Sequence, residues 1–306
     1  MKKILYKKLK DKNLTQLHEF KVGSWVSIVD PDTHELEKIA KEFQLDTGHL
    51  KDALDPNEVP RYETENSDVY LFTRVPVKKD QTISTNPLLV IMRSTCVLTI
   101  TNQNFPLEKL MTEKNIDFST TQKVKLFIQF FTIVNNIYTQ MITNVNRESH
   151  KAVANIDKIQ NRDIIKMVEY ERILNEFLNA VIQNNSMLNN ILKGKSLTLF
   201  PQDRDLIEDL FLTTGQLIEL SKSSMMNIRN IRDSYTTIMT NNLNRVIKFF
   251  TSLTIILTIP TIVSSFYGMN ISLPFMQHPA AFGLIFTGTL IICSILLYIF
   301  QRKDWL

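Results

Sequence analysis

Hydroxyl and amide side chains recur at helical spacing through the C-terminal part of this 306-residue chain. They form two series, each with a repeat of seven residues, and the second series is offset from the first by three. The first series is Asn244, Thr251, Thr258 and Ser265, and the second is Thr254, Thr261 and Gly268. Both series lie on one side of a helix. We call the six polar members the polar stripe, which either packs against other helices or lines water.

A long uncharged stretch contains most of this stripe. Although 22% of the chain is charged, no Asp, Glu, Lys or Arg lies from Phe249 to Gln301. The segments 249–267 and 279–300 each approach or exceed the roughly 20 residues that cross a bilayer as a helix. Residues 268–278 between them are of loop types. The sequence therefore predicts a transmembrane hairpin, which serves either as a pore or as an anchor for a soluble domain.

The basic residues predict how this hairpin is oriented. Arg245 and Lys248 precede the first span, Arg302 and Lys303 follow the second, and the connecting loop has none. By the positive-inside rule both termini are cytoplasmic. No apolar run of signal-peptide length follows the basic N-terminus, so we expect the polar part to stay in the cytoplasm and the hairpin to lie in the cell membrane.

The segment before the first span predicts a long helix. From residue 201 to 259 only Gly215 would weaken a helix, so a stalk over 203–266 should continue into the membrane. Apolar residues at roughly helical spacing along it need partners that bury them. The stalk therefore predicts a helical assembly of several chains.

The polar portion predicts a mixed sheet flanked by helices. Segments 22–30, 69–77 and 88–101 have strand composition, and 32–43 and 46–54 predict short helices. Residues 121–193 lack Gly and Pro, which favours two antiparallel helices with a break at 160–163 and Asp163 as the cap. The fold class is an α+β membrane protein with an N-terminal mixed α/β cytoplasmic domain. Its predicted parts are the α/β domain 1–120, helical pair 121–200, stalk 201–248, first span 249–267, loop 268–278, second span 279–301 and tail 302–306.

Other function classes find little support. The chain has no Gly-rich phosphate loop, and its five His residues are scattered without metal-ligand or triad spacing. Cys96 lies in the polar portion and Cys293 in the apolar one, which predicts neither a disulfide nor a metal cluster. The net charge of +4 is modest, and the basic residues beyond the N-terminus are interspersed with acids. We therefore expect neither an enzyme nor a nucleic-acid-binding protein.

The end of the first span resembles a known family. Tyr267-Gly268-Met269-Asn270, one further span and the tail Arg302–Leu306 are similar to the CorA family of divalent-cation transporters. The run 241–261 and positions between Trp25 and Glu63 also resemble that family. The resemblance implies a homopentamer with a cytoplasmic funnel and one axial pore that carries Mg2+ inward, in many members also Co2+ or Ni2+. Many members have an acidic Met-Pro-Glu segment in the loop, where this chain has uncharged residues at 271–277.

The resemblance implies roles for the residues at the outer mouth. Five Asn270 side chains, one per subunit, would offer amide oxygens to the waters of a hydrated cation. Gly268 would let the backbone turn sharply, while Tyr267 and Met269 would pack the loop against the helix ends. Below them, the polar stripe would present hydroxyls to the hydration shell.

Further in, the resemblance places a constriction. Ile247 and Phe250 either form a hydrophobic gate or pack between stalk helices, and Asn244 would form a polar ring beside them. Asp233, eleven residues before Asn244, matches a family position at the cytoplasmic end of the pore, where five carboxylates would attract a divalent cation.

Acidic residues lie at the start of the predicted stalk. Asp203, Asp205, Glu208 and Asp209 lie within seven residues. They either stabilise the helix dipole or, with a carboxylate from a neighbouring subunit, bind Mg2+ as a sensor that holds the funnel closed.

Two rival functions stay open. One is transport of Zn2+, as in the related ZntB branch, or of another transition metal, and the other is a membrane-anchored helical scaffold that transports nothing.

Overall fold

The computed structural model describes residues 2–11, 13–79, 82–101, 105, 107–113, 118–153, 161–194, 199–271, 273–274 and 278–305. The chain divides into two compact units, residues 1–231 and 232–306. The loop positions 272 and 275–277, and residue 160 of the helix break predicted at 160–163, lie outside the described residues.

In the described residues, the first unit contains seven strands, which form one sheet. They are β1 Lys2–Tyr6, β2 Thr15–Leu17, β3 Trp25–Val29, β4 Arg61–Glu65, β5 Asp68–Lys79, β6 Thr82–Met92 and β7 Val97–Thr101. Their order is β2-β1-β3-β7-β6-β5-β4, and every pair is antiparallel except β3 with β7. This confirms the predicted mixed sheet.

The strand predicted over 88–101 is wrong, because the chain reverses within it. β6 ends at Met92 and β7 begins at Val97, and the two strands pair with each other from Leu88↔Thr101 to Met92↔Val97. The turn between them contains Arg93, whose guanidinium lies 2.8 Å from Asp68. Pattern alone missed the reversal because β-branched and apolar residues continue on both sides of it.

Helices cover both faces of the sheet. α1 Thr33–Phe43 and α2 Thr47–Asp52 begin at Asp32 and Asp46, whose carboxylates accept backbone N–H bonds as N-caps. These two helices pack on the face formed by Val26, Tyr70, Leu98 and their alternate neighbours. The other face packs against α3 Leu107–Glu113, α4 Lys123–Val153, α5 Asn161–Lys193 and the start of α6. Successive side chains of each strand point to opposite faces of the sheet, so each strand contributes to two separate hydrophobic cores.

Three polar contacts define the directions of the long helices. They are Asn135 with Thr214 at 2.8 Å, Asn146 with Ser224 at 2.7 Å, and Glu171 with Arg229 at 2.7 Å. The numbers of the contacting residues increase together in α4 and α6, so these two helices run parallel. The start of α5, at Glu171, contacts α6 at Arg229, which is farther along α6 than Ser224, the contact of the end of α4. The predicted antiparallel pair α4 and α5 is thus confirmed. Its predicted cap is wrong, since α5 begins at Asn161 and Asp163 lies in its first turn.

The second unit contains α6 from residue 232 onward, and α7. α6 is continuous over Pro201–Tyr267, so the stalk and the first span form one helix as predicted, and α7 covers Ala281–Arg302. Both helices are long and apolar enough to cross a membrane. No side chain of α7 is buried, and so much exposed apolar surface requires lipid or other chains to cover it.

Candidate ion pathway

The polar stripe lies on an uncovered side of α6. All six of its members are exposed: Asn244, Thr251, Thr254, Thr258, Thr261 and Ser265. At about 100° per residue, they occupy an arc of about 100° on one side of the helix. Every member belongs to the second unit. From Thr251 to Ser265 the stripe thus forms a row of exposed polar side chains along one side of the span.

The opposite side of α6 packs against α7. Ser252 is fully buried there, and Cys293 of α7 places its sulfur 3.7 Å from the carbonyl oxygen of Ile256. Relative to Asn244, the positions of Ser252 and Ile256 are rotated by about 80° and 120° away from the stripe. α7 therefore does not cover the stripe, which is accessible to water, lipid or a second copy of the chain.

The contact of Cys293 also explains how α6 accommodates a proline. Pro260 lies inside the helix and has no N–H, so the carbonyl of Ile256 lacks its usual donor four residues on. The thiol of Cys293 is the group that approaches this carbonyl. Composition did not single out Cys293, although the position four residues before a helical proline would have marked Ile256 as needing a donor.

The hydroxyls of the stripe are oriented in a way that favours cations. Thr254 donates to Phe250 O at 2.8 Å, Thr258 to Thr254 O at 2.7 Å, and Thr261 to Leu257 O at 3.0 Å. Each hydroxyl hydrogen is therefore used inside the helix, and the oxygen lone pairs stay available as acceptors. Water bound to a cation turns its hydrogens outward, so a wall of acceptors suits a hydrated cation and not an anion.

The motif at the end of α6 forms a tightening helical turn. The amide of Gly268 still donates to Ser264 O at 2.9 Å, and that of Met269 donates to Phe266 O at 3.2 Å, three residues back. Gly268 does not have a positive φ, so the backbone here is one that other residues also adopt, and the predicted sharp turn at this residue stays a prediction. Its size matters instead, because an added Cβ would lie 3.2 Å from Ser264 O. The helix therefore ends in a tighter turn of the 3₁₀ type, with a hydrogen bond that spans three residues in place of four.

The other two motif residues occupy different surroundings. The hydroxyl of Tyr267 lies 3.4 Å from the carbonyl oxygen of Pro274, which links the helix end to the loop. Met269 is 44% exposed, and Asn270 is exposed beyond the last helical turn. The amide of Asn270 is therefore accessible at the end of the polar stripe.

The inner candidates lie on the same side as the stripe. Asp233 is exposed and is rotated by only about 20° from Asn244, because eleven residues are close to three turns. Its carboxylate lies 3.8 Å from Arg232 Nε, an exposed pair of little energetic weight. Ile247 and Phe250 are 53% and 59% exposed. Within one chain these two apolar side chains are unburied, so either role predicted for them requires neighbouring copies.

The acidic start of α6 divides into one buried and three exposed carboxylates. Asp203 is buried in the first turn, where it suits the helix dipole. Asp205, Glu208 and Asp209 are exposed, and Glu208 lies 3.5 Å from Arg204. In the part of the chain that the structure describes, no three acidic, His or Cys residues are close enough to hold a metal ion. A sensor here would need a ligand from another copy.

Comparisons with known proteins agree with this architecture. The chain is 27% identical over 292 residues to the cobalt/magnesium transport protein CorA of Methanocaldococcus jannaschii, covering 92% of this chain and 91% of that protein. It is 22% identical over 308 residues to the magnesium transport protein CorA of Campylobacter jejuni, again covering 92% and 91%.

The fold is also that of a solved structure. The complete structure of the CorA magnesium transporter from Methanocaldococcus jannaschii superposes with a TM-score of 0.87 at 22% identity, covering 100% of this chain and 99% of that one. The sequence pattern of the CorA-like Mg2+ transporter protein family matches residues 20–302, which include both helices of the hairpin. The chain therefore belongs to the CorA-like Mg2+ transporter protein family.

Proposed function

We propose that this chain forms a channel-like pathway for inward transport of hydrated Mg2+ across the cell membrane. The observation that carries this proposal is the uncovered polar stripe of α6. The hydroxyls of Thr254, Thr258 and Thr261 donate their hydrogens to backbone carbonyls of the same helix, so their oxygens remain as acceptors on the exposed side. The two relatives named above are a cobalt/magnesium and a magnesium transport protein. Co2+ and Ni2+ are the additional cargoes that we expect.

The stripe suits an ion that keeps its water. Mg2+ demands near-ideal octahedral coordination and dehydrates reluctantly, and the span contains no charged side chain that could compensate for lost water. Neutral hydroxyl and amide oxygens hold a hydrated ion without trapping it. A divalent ion falling through the membrane potential gains about 4.6 kcal/mol per 100 mV, twice the value for one charge. The proposed transport therefore needs neither ATP nor a catalytic group.

One stripe forms only one wall of a pathway, so the proposal requires several copies. We propose a homopentamer in which Asn270 forms the outer ring and the polar stripe lines the pore below it. Ile247 and Phe250 would narrow the pore next to Asn244, and Asp233 would form the inner carboxylate ring. Both chain termini would be cytoplasmic, in keeping with the basic residues at that end of the hairpin.

Ion flux into proteoliposomes tests the proposed transport. The full chain is reconstituted, an inside-negative potential is imposed, and uptake of Mg2+, Co2+, Ni2+ and Zn2+ is recorded beside protein-free liposomes. We expect Mg2+ uptake that grows with the potential and vanishes when the potential is collapsed. Zn2+ uptake that depends on a proton gradient would favour the Zn2+ alternative. A lack of flux for every metal would refute transport.

We further propose that Mg2+ at the start of α6 regulates this pathway. Asp205, Glu208 and Asp209 are the exposed carboxylates available to a ligand from a neighbouring copy. Replacing them together by Asn, Gln and Asn should abolish the protection that Mg2+ gives α6 against limited proteolysis. Glu219→Gln, at an exposed acid farther along α6 that pairs with Lys222, is the matched control. If the triple variant were still protected by Mg2+, these acids would not be the sensor.

A further inference from the structure

A cavity of about 520 Å3 lies in the first unit, between the turn that joins β6 to β7 and the starts of α4 and α6. Its lining includes Arg93 and Ser94 from the turn, residues 121–125, and Phe200 and Asp203. This volume is within the range of sites that hold small-molecule ligands. Among the described residues that line the cavity, none belongs to the proposed ion pathway or to the three acids of the proposed Mg2+ sensor. The cavity is therefore a separate site.

Two lysines bring positive charge to this cavity without an acid of their own. The Lys123 ammonium donates to the carbonyl oxygens of Arg93 and Ser94 at 2.8 and 2.9 Å, so neutral acceptors fix its position. An ammonium has three hydrogens, and these bonds leave one of them for a ligand. The Lys125 ammonium has neither a hydrogen bond nor an ion pair with any described residue. Both charges are therefore available to an anion.

The position of these lysines in α4 also favours an anion. The N-terminus of a helix carries a partial positive charge, which acids stabilise and cations oppose. α4 has no acid in its first turn, and Lys123 and Lys125 lie there instead. The first amides of a helix also lack acceptors within the helix. An anion in the cavity would relieve the repulsion between these positive groups.

Two acids lie at this site, and they leave the lysines in excess. Asp68 lies 2.8 Å from Arg93 and so compensates the guanidinium charge. Asp203 lines the cavity from the first turn of α6, where its carboxylate suits the dipole of that helix. With Arg93 compensated by Asp68, two lysines face one acid. The cavity therefore has a net positive charge.

We propose that this cavity binds a nucleoside phosphate. Lys123, Lys125 and the first amides of α4 would contact the phosphate groups. Phe200 lines the cavity beside α6 and is 71% exposed, so its ring is free to stack on the base. Free phosphate would fill only a small part of this volume, which favours a ligand that also carries a base. The inference does not depend on the proposed transport.

Calorimetric titration of the full chain in detergent tests the site. The probes are ADP, pyrophosphate, inorganic phosphate and adenosine, each at constant ionic strength in metal-depleted buffer, so that no Mg2+ bridges probe and protein. We expect ADP to bind at least fivefold more tightly than pyrophosphate, because stacking on an aromatic ring contributes at least that factor. Adenosine should not bind measurably. A lack of ADP binding up to millimolar concentration would refute the site, and equal binding of inorganic phosphate or pyrophosphate would refute a nucleoside ligand.

Substitutions in the cavity should change the affinity for ADP in both directions. Lys125→Gln should weaken binding about tenfold, the effect of one hydrogen bond to a charged group. Phe200→Leu should weaken the binding of ADP and leave that of pyrophosphate unchanged. Asp203→Asn should strengthen the binding of both probes, since it keeps the shape of the side chain and removes the opposing charge. An effect on folding alone would not strengthen binding.

Lys151→Gln is the matched control for Lys125→Gln. Lys151 lies near the other end of α4, pairs with Glu148 and does not line the cavity. Equal losses in the two variants would mean diffuse attraction between ADP and a basic protein, and no site. None of these readouts involves ion flux, so a failure here is distinguishable from a failure of the proposed transport.

Discussion

Asn270→Ala is expected to lower Mg2+ uptake into proteoliposomes by about a hundredfold or more. In the proposed pentamer one substitution removes five amide oxygens from the outer mouth. A hydrogen bond contributes about 1 kcal/mol net, and 1.4 kcal/mol is a factor of ten. The loss of five acceptors therefore lowers the uptake rate by more than a hundredfold, even if bulk water replaces some of them. The measurement is the initial uptake rate under an imposed potential, with protein incorporation held equal.

Asn242→Ala is the matched control for this variant. Asn242 is exposed on the same helix, but it is rotated by about 160° from Asn244 and so lies away from the polar stripe. Its replacement should leave uptake unchanged. Undiminished flux in Asn270→Ala would contradict the proposed outer ring. If the intact protein also transported no metal, the remaining reading would be a membrane-anchored scaffold.

Thr258→Val is expected to reduce Mg2+ uptake about tenfold. Valine keeps the β-branched shape of threonine and loses only the hydroxyl, so the helix should persist while one ring of acceptors is replaced by methyl groups. A hydrated ion passing that level would lose hydrogen bonds each worth about 1 kcal/mol. The neighbouring hydroxyl levels at Thr254 and Thr261 limit the loss. Uptake is measured over a range of Mg2+ concentrations.

Thr289→Val in α7 separates the pathway from helix stability. The Thr289 hydroxyl donates to Ile285 O at 2.8 Å, in the same way as Thr258 donates to Thr254 O at 2.7 Å. Thr289, however, lines a cavity of about 440 Å3 between the two hairpin helices. Its replacement should leave uptake within about twofold of the intact protein, as expected for a site off the pathway. Equal losses in the two variants would argue against water along the stripe.

Periodicity and charge alone were sufficient to predict the hairpin and the long helix. A charge-free stretch of this length has few folded alternatives, because backbone polar groups in lipid must be satisfied within a helix or a closed barrel. The absence of helix breakers before the first span likewise predicted the continuity of α6 up to Tyr267. The motif at residues 267–270 carried the family resemblance. These features depend on neighbours in sequence, which is why sequence was enough.

Sequence failed where contacts between distant segments decide the outcome. The reversal between β6 and β7 depends on strand pairing across the turn, and no local pattern within 88–101 specifies it. The same holds for Cys293, whose sulfur approaches the Ile256 carbonyl that Pro260 leaves without a donor. Left-handed Asp304 also escaped prediction, since it depends on Trp305 folding back onto Phe300.

The sequence by itself determined that the polar stripe occupies one side of a membrane helix, because spacing by seven and by three is a property of the helix alone. Only the tertiary structure decided which side that is. α7 packs on Ser252 and Ile256, opposite the stripe, and thereby leaves the hydroxyl oxygens uncovered. Packing between two helices depends on the shapes of both surfaces, and that information is not present in either helix alone.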